Sequence, residues 1–248
     1  MAGGGKTAPI AQGEYEYLCD GNPVPVFEHW SLFRLGEKFV LHSAREIPAL
    51  SVLISARAQV AGGEILRCLL RWCDMGRQKS IAASSYRALG KGINGGVYRV
   101  RGAGIETRSV SAEGALYFPL LRIFAGQLLG ALAAQDQAEA RVLVPWIHDP
   151  AQAAKLFEPE ISLRRVRFLQ SVDAGVSGRT WDSFEYSGGQ YDGGAVYDLA
   201  DGLLQEYHWQ QGQSHWTVRL KNLQGSWPGE ELWPHAIAPA TPVDRLET

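Results

Sequence analysis

Along much of the chain every second residue is apolar, and these runs are separated by breaks rich in Gly, Pro, Asn and Asp. Period-two alternation puts one set of side chains on each face of an extended backbone, so such runs predict half-buried β-strands. In the first half they cover residues 15–19, 24–32, 38–46, 50–60, 64–73, 80–89 and 96–101. In the second half they cover residues 163–172, 180–186, 194–199, 203–210 and 214–220. Asp201-Gly202 and Gln211-Gly212 are tight-turn dipeptides, so the last three strands are expected to form consecutive hairpins.

One stretch follows a different period. Residues 119–135 carry Leu121, Phe124, Leu128 and Leu132 at helical spacing, with Pro119 suited to a first turn. At 1.5 Å per residue the predicted helix is roughly 25 Å long. A shorter helical turn is expected at 150–157. The expected fold class is all-β with one central amphipathic helix. A curved antiparallel sheet forms a barrel or half-barrel around a pocket, and the helix lies inside the curve or caps an open end. Residues 13–224 form this single domain. Residues 1–12 are expected to be a disordered tail and residues 225–248 an irregular one, with Trp227 and Trp233 packing its first part onto the body.

Composition narrows the picture. Hydrophobic residues make up 46% and charged residues 20% of 248, enough for a large core without disulfide or metal. A net charge of -2 excludes a nucleic-acid binder that relies on bulk basicity. The 24 basic residues divide into 18 Arg and 6 Lys. A GC-rich coding sequence gives such a bias; the alternative is that some guanidinium forks hold carboxylate or phosphate. Cys19, Cys68 and Cys73 lack metal-ligand spacing. Cys68 and Cys73 are five apart on one strand and point to opposite faces, so reduced thiols are expected. The start of the chain lacks the apolar stretch of a secretory signal, and the run 116–134 is broken by Pro119, Arg122, Gly126 and Gln127. A soluble, cytoplasmic protein without a membrane span is the expectation.

Most motif-like segments dissolve on inspection. Gly90-Lys91-Gly92-Ile93-Asn94-Gly95 has dinucleotide-loop spacing, but a strand-like segment follows it where a helix would be needed; a hairpin loop fits better. Gly5-Lys6-Thr7 lacks the leading glycine and strand of a phosphate loop. The histidines lack the spacing of a helical zinc site, although His208 and His215 flank a turn and a site shared with His42 is conceivable. No metal and no cofactor are expected. Cys68 or Cys73 as a nucleophile would need a nearby base and an electropositive setting, which are properties of the fold and not of the sequence.

The remaining chemistry lies on strands. Arg67 and Arg71 are four apart and share a face, Arg45 and Arg57 stand near the ends of the two preceding strands, and Arg87 and Arg99 flank the glycine loop. Such residues form a solvated face or hold the acidic head of a ligand by bidentate contacts. Trp30, Trp72, Tyr86, Trp181, Tyr207 and Trp209 belong to an aromatic set that serves either as core or as pocket wall.

The layout resembles bacterial half-barrel families described as lipid- or glycolipid-binding, related in shape to lipoprotein carriers. The resemblance rests on Gly13-Glu14-Tyr15-Glu16-Tyr17, residues 24–30 and 38–46, and Val142-Leu143-Val144-Pro145. It also rests on Tyr207-His208-Trp209 and His215-Trp216-Thr217-Val218. It covers most of 13–224 and implies a concave sheet holding an apolar ligand, without transferring a catalytic residue. The first functional expectation is a lipocalin-like binder of a small hydrophobic or amphipathic, anionic molecule. Its site would draw on Trp30, Arg45, Arg57, Arg67, Arg71, Trp72, Tyr86, Trp181, Tyr207 and Trp209. The alternative is a cofactor-independent isomerase, lyase or hydrolase acting on an aromatic, steroid-like or acyl substrate. Its acid–base pool would be Glu28, His29, His42, Asp182, Glu185, His208 and His215. A third reading has the aromatic tail join two copies into a homodimer.

Overall fold

The computed structural model describes residues 8–89, 95–102, 108–173, 180–189 and 194–234. They form fifteen strands in one curved, unclosed sheet. The first eight are β1 (Ala11–Cys19), β2 (Asn22–Leu35), β3 (Lys38–Ile47), β4 (Val52–Ala61), β5 (Glu64–Asp74), β6 (Lys79–Ala88), β7 (Gly96–Gly102) and β8 (Arg108–Ser111). Then follow β9 (Ala115–Tyr117), helix α1 (Ala125–Ala133), β10 (Glu139–Trp146), β11 (Glu158–Asp173) and β12 (Thr180–Ser187). The last three are β13 (Ala195–Ala200), β14 (Leu203–Gln211) and β15 (Ser214–Gly225).

Strand β1 pairs with both β2 and β15, and from it the sheet meanders outward in both directions. Every pairing is antiparallel except β9 with β10, whose parallel register requires the crossover that α1 provides. The sheet's two free edges, β8 and β9, are neighbours in the chain, and no ladder joins them among the described residues. This seam is what keeps the barrel from closing. The hairpins follow turn chemistry: Asp201 and Gly202 both have positive φ, 51° and 72°, as a two-residue turn between right-twisted strands requires.

Burial alternates as the pattern predicts. On β4, Val52, Ile54, Ala56, Ala58 and Val60 are buried, while Arg57 and Gln59 are exposed. The inner face packs around α1, which contacts β9, β10, β11 and β14. Gly126 permits the closest approach, because a Cβ there would lie 1.8 Å from the Gly202 carbonyl oxygen. An inner aromatic ladder runs Tyr186, Tyr197, Tyr207, Trp209, Trp216, with neighbouring ring centroids 4.3–5.9 Å apart.

The helix is shorter than its pattern. Residues 122–124 form a 3-10 turn that leads into α1, and Leu120 takes a left-handed φ of 65° just before it. The expected turn in 150–157 is a single 3-10 turn at Ala153–Lys155. The candidate dinucleotide loop lies, for residues 90–94, outside the described residues; β6 and β7 on either side of it pair antiparallel. Gly5-Lys6-Thr7 also lies outside them. After β15 the chain crosses one barrel end. Trp227 donates to the Asp201 carbonyl at 3.0 Å and meets Trp30 edge-on at 5.5 Å, and Trp233 is fully buried. Glu231 pairs with Arg34, and a Cβ on Gly63 would lie 2.7 Å from the Pro234 ring. Both tail tryptophans therefore pack within their own chain.

Candidate functional site

Helix α1 is tethered to the sheet by a buried ionic network. The Glu28 carboxylate on β2 is completely buried and accepts from five donors. Arg45 donates from Nε and Nη2 at 2.9 and 2.7 Å, Tyr17 Oη at 2.8 Å, and Ser43 Oγ at 3.3 Å. The fifth is the backbone N–H of Arg122 at 2.7 Å, at the start of the turn that leads into α1. Arg45 also donates to the Leu120 carbonyl at 3.1 Å, which holds the left-handed residue in place. Burial, opposed by the neighbouring Arg45 charge, raises the Tyr17 hydroxyl above its ordinary range. A set of partners that only donate matches the acceptor-only oxygens of a carboxylate. Beside it the Arg122 guanidinium stacks over Tyr207 and Trp209, 4.2 and 5.6 Å from the ring centroids.

Where the sheet fails to close, a cavity of about 140 Å³ lies between α1 and strands β5, β6 and β9. Ile65, Leu116 and Ala131 contribute to a mainly apolar wall, and Tyr86 stacks on Tyr117 at 4.2 Å. Gln127 of α1 also lines it, nine-tenths buried, and its side-chain carbonyl has no hydrogen-bond partner. Burial, reinforced by the Glu64 carboxylate, pushes the Tyr86 hydroxyl up to about 12, so it stays neutral. Cys68, buried close by, is likewise pushed up to about 12 by its burial, which favours the neutral thiol.

The outer face of β4–β7 is different in character. A groove of about 800 Å³ is lined by Arg57, Arg67, Arg87 and Arg99 over a floor that includes Leu69 and Val97. A second groove of about 500 Å³ shares Arg57 and Leu69 and adds Arg71, His29 and His42. These five arginines form no ion pair among the described residues, whereas Arg34, Arg45, Arg164, Arg165, Arg167 and Arg219 do. Tyr86 and Ala88 line both the 800 Å³ groove and the cavity beneath α1, so the two meet at the end of β6.

The residues singled out from sequence are thus divided among distinct settings. Arg57, Arg67 and Arg71 gather on the outer face, and Tyr86 borders the inner cavity. Trp30, Trp72 and Tyr207 are buried in the packed interior, Trp209 stacks between Tyr207 and Trp216, and Trp181 is half-buried on β12. Arg45 is engaged by Glu28. In the acid–base pool, His29 faces Glu14 at 3.1 Å, Asp182 accepts from Ser171 at 2.6 Å, and Glu185 pairs with Arg167. His215 is exposed at a hairpin end. His42 and His208 stand four strands apart in the sheet order, roughly 19 Å at 4.8 Å per strand, so the three-histidine site does not form. His208 instead meets Glu206 and Asp198 at 3.2 and 3.7 Å, and its other ring nitrogen faces Thr217 at 3.2 Å. These three side chains offer ligand-type atoms within 4.8 Å of one another, in the arrangement of an ion-paired surface cluster. His235 lies outside the described residues. Sequence reasoning noticed Gln127 only as an interruption of an apolar run and missed its place in a cavity wall.

No protein-family model matches the chain, and no curated protein matches it. Among solved structures it is similar to a beta-barrel-like protein of domain of unknown function DUF1849 from Brucella abortus. The TM-score is 0.51 at 10% identity, over 88% of this chain and 98% of that one. The likeness supports a barrel-like fold and nothing finer. Among the described residues no helix is long and apolar enough to cross a membrane.

Proposed function

We propose that the protein binds a small amphipathic molecule, with the ligand's apolar part in the cavity beneath α1 and its acidic group among the arginines at the same barrel end. The observation that carries this reading is the cavity itself: a mainly apolar wall that includes Gln127, whose buried Oε1 has no hydrogen-bond partner. Pockets for small molecules combine these two features, area for affinity and a few polar groups for orientation. A volume of about 140 Å³ is close to that of a cavity that takes up benzene, so it fits one six-membered ring or a short chain. Its lining includes the Glu64 carboxylate and none of the seven acid–base candidates.

The test is titration with phenol, followed by NMR through the Gln127 side-chain amide and the Ala131 methyl. A ligand of seven heavy atoms is expected to bind with a Kd of about 1 mM or tighter. Ala131→Leu, which extends a side chain into the cavity, should abolish the saturable shifts while the protein stays folded. A wild-type protein without saturable shifts, or a filled variant that binds equally well, would refute the reading.

A further inference from the structure

We infer that Arg67, Arg87 and Arg99 form a clamp for a phosphomonoester dianion on the outer face of β5–β7. The register places Arg67 directly opposite Arg87 across β5 and β6. Residues so paired have Cβ atoms about 4.5–5.5 Å apart, and like charges there are destabilising. Arg87 faces Val97 on β7, so Arg99, two residues on, is its diagonal neighbour at about 7–8 Å. Ser85 completes the patch, opposite Leu69 on one side and Arg99 on the other. All three arginines are exposed and without an ion-pair partner among the described residues, so the folded protein leaves their mutual repulsion standing. A bound anion removes that repulsion.

The class of anion follows from the number of forks. A carboxylate has one charge and two oxygens, which one guanidinium satisfies bidentately. A phosphomonoester carries about -1.5 to -2 charges on three terminal oxygens and matches three guanidinium groups plus a hydroxyl. The groove volume of about 800 Å³ is that of a small-molecule site, and Tyr86 and Ala88 join it to the cavity beneath α1 that takes the ester's organic part. The clamp deepens the reading above by naming the acidic group, and it rests on that reading only for the ligand's apolar part.

Calorimetry on the full chain at about 0.1 M salt tests it, with phenyl phosphate, inorganic phosphate and phenol as probes. Wild type should bind phenyl phosphate and inorganic phosphate, and Arg67→Gln or Arg87→Gln should weaken both by about tenfold or more. Both variants should leave phenol binding unchanged and hold or raise the Tm, because each removes a repulsion. Ala131→Leu should lose phenol and keep inorganic phosphate. If phenol fails while phosphate binds, the cavity reading falls and the clamp stands. The clamp is overturned if phosphate binding is absent in wild type, or unchanged in Arg67→Gln/Arg87→Gln. Vesicles containing phosphatidic acid separate the two sources of the dianion: capture lost in the double variant assigns a lipid headgroup, and binding of soluble ester alone assigns a free one.

Discussion

Replacing Glu28 by Gln tests what holds α1 over the cavity. The substitution keeps the side chain's volume but removes the charge that faces Arg45, whose side chain is only 14% exposed, and it turns one of the two accepting oxygens into a donor. The new NH₂ group would confront N–H and O–H donors. Removing one partner of a buried ion pair costs about 3–5 kcal/mol, because the other charge stays buried and uncompensated. Domains of ordinary stability have about 5–15 kcal/mol in all, so the loss would be a large share. For a chain of this size it corresponds to a fall in Tm of about 6–20 °C. Guanidinium unfolding followed by tryptophan fluorescence measures it, and the cycle with Arg45→Met isolates the pairwise contribution. Glu28→Gln/Arg45→Met should be more stable than Glu28→Gln alone, since no unpaired charge is left behind. Phenol binding should weaken in Glu28→Gln, because the Arg122 N–H that anchors the helix entry loses its charged acceptor. A destabilisation below about 1 kcal/mol, or strictly additive effects of the two substitutions, would refute the assignment of Glu28 as the tether.

Three further outcomes follow from particular contacts. Gly126→Ala, which would stabilise an ordinary helix by about 1 kcal/mol, should instead destabilise, because its Cβ would lie 1.8 Å from the Gly202 carbonyl; a raised Tm would refute that packing. Partial burial first, and the Arg57 charge second, hold the His42 imidazole below its ordinary range. The unfolded chain therefore binds this proton more readily, so stability from neutral His42 is present above pH 6.5 and falls as pH drops toward the folded value. An NMR titration of Arg57→Gln should move the His42 midpoint upward, and an unmoved midpoint would remove Arg57 as a cause. Finally, a thiol reagent at pH 8 should label Cys19 and Cys73 in the native protein and reach Cys68 only after unfolding; rapid native labelling of Cys68 would contradict its burial.

Much of this architecture is legible in local pattern. The alternations on β2 to β7, the helical spacing in 119–135 and the Asp201-Gly202 turn each reflect forces that act within a few residues. What local pattern does not carry is long-range. The β9–β10 pairing depends on a parallel crossover, and β9 is only three residues long, too short for an alternation to show. The helix starts late because a carboxylate 94 residues earlier in the chain takes up the Arg122 N–H. Period two puts Glu28 on the face of Trp30 and Leu32, but local pattern does not supply the distant donors, Arg45 and the Arg122 N–H, that let a carboxylate stay there.

The arginines show where a stricter argument from the same residues leads further. Period two on β5 separates Arg67 and Arg71 from Cys68, Leu70 and Trp72, but it does not say which set faces the hollow. The structure gives the inner face to core and puts Arg57, Arg67 and Arg71 on the outer one. A single curved sheet with one helix decides the matter, because its apolar face has no second layer to pack against except the helix and the far wall of the same sheet. Leu70 and Trp72 are buried at 1% and 3% exposure for that reason, and the alternate positions are forced outward. On the proposed reading the ligand's acidic group is met at the rim, where inner cavity and outer groove share Tyr86 and Ala88. There a guanidinium stays hydrated when no ligand is present, whereas an arginine inside the barrel needs a permanent carboxylate, as Arg45 has in Glu28. The two kinds of arginine on these neighbouring strands thus divide the work, one fixing the fold and the other left open to an anion.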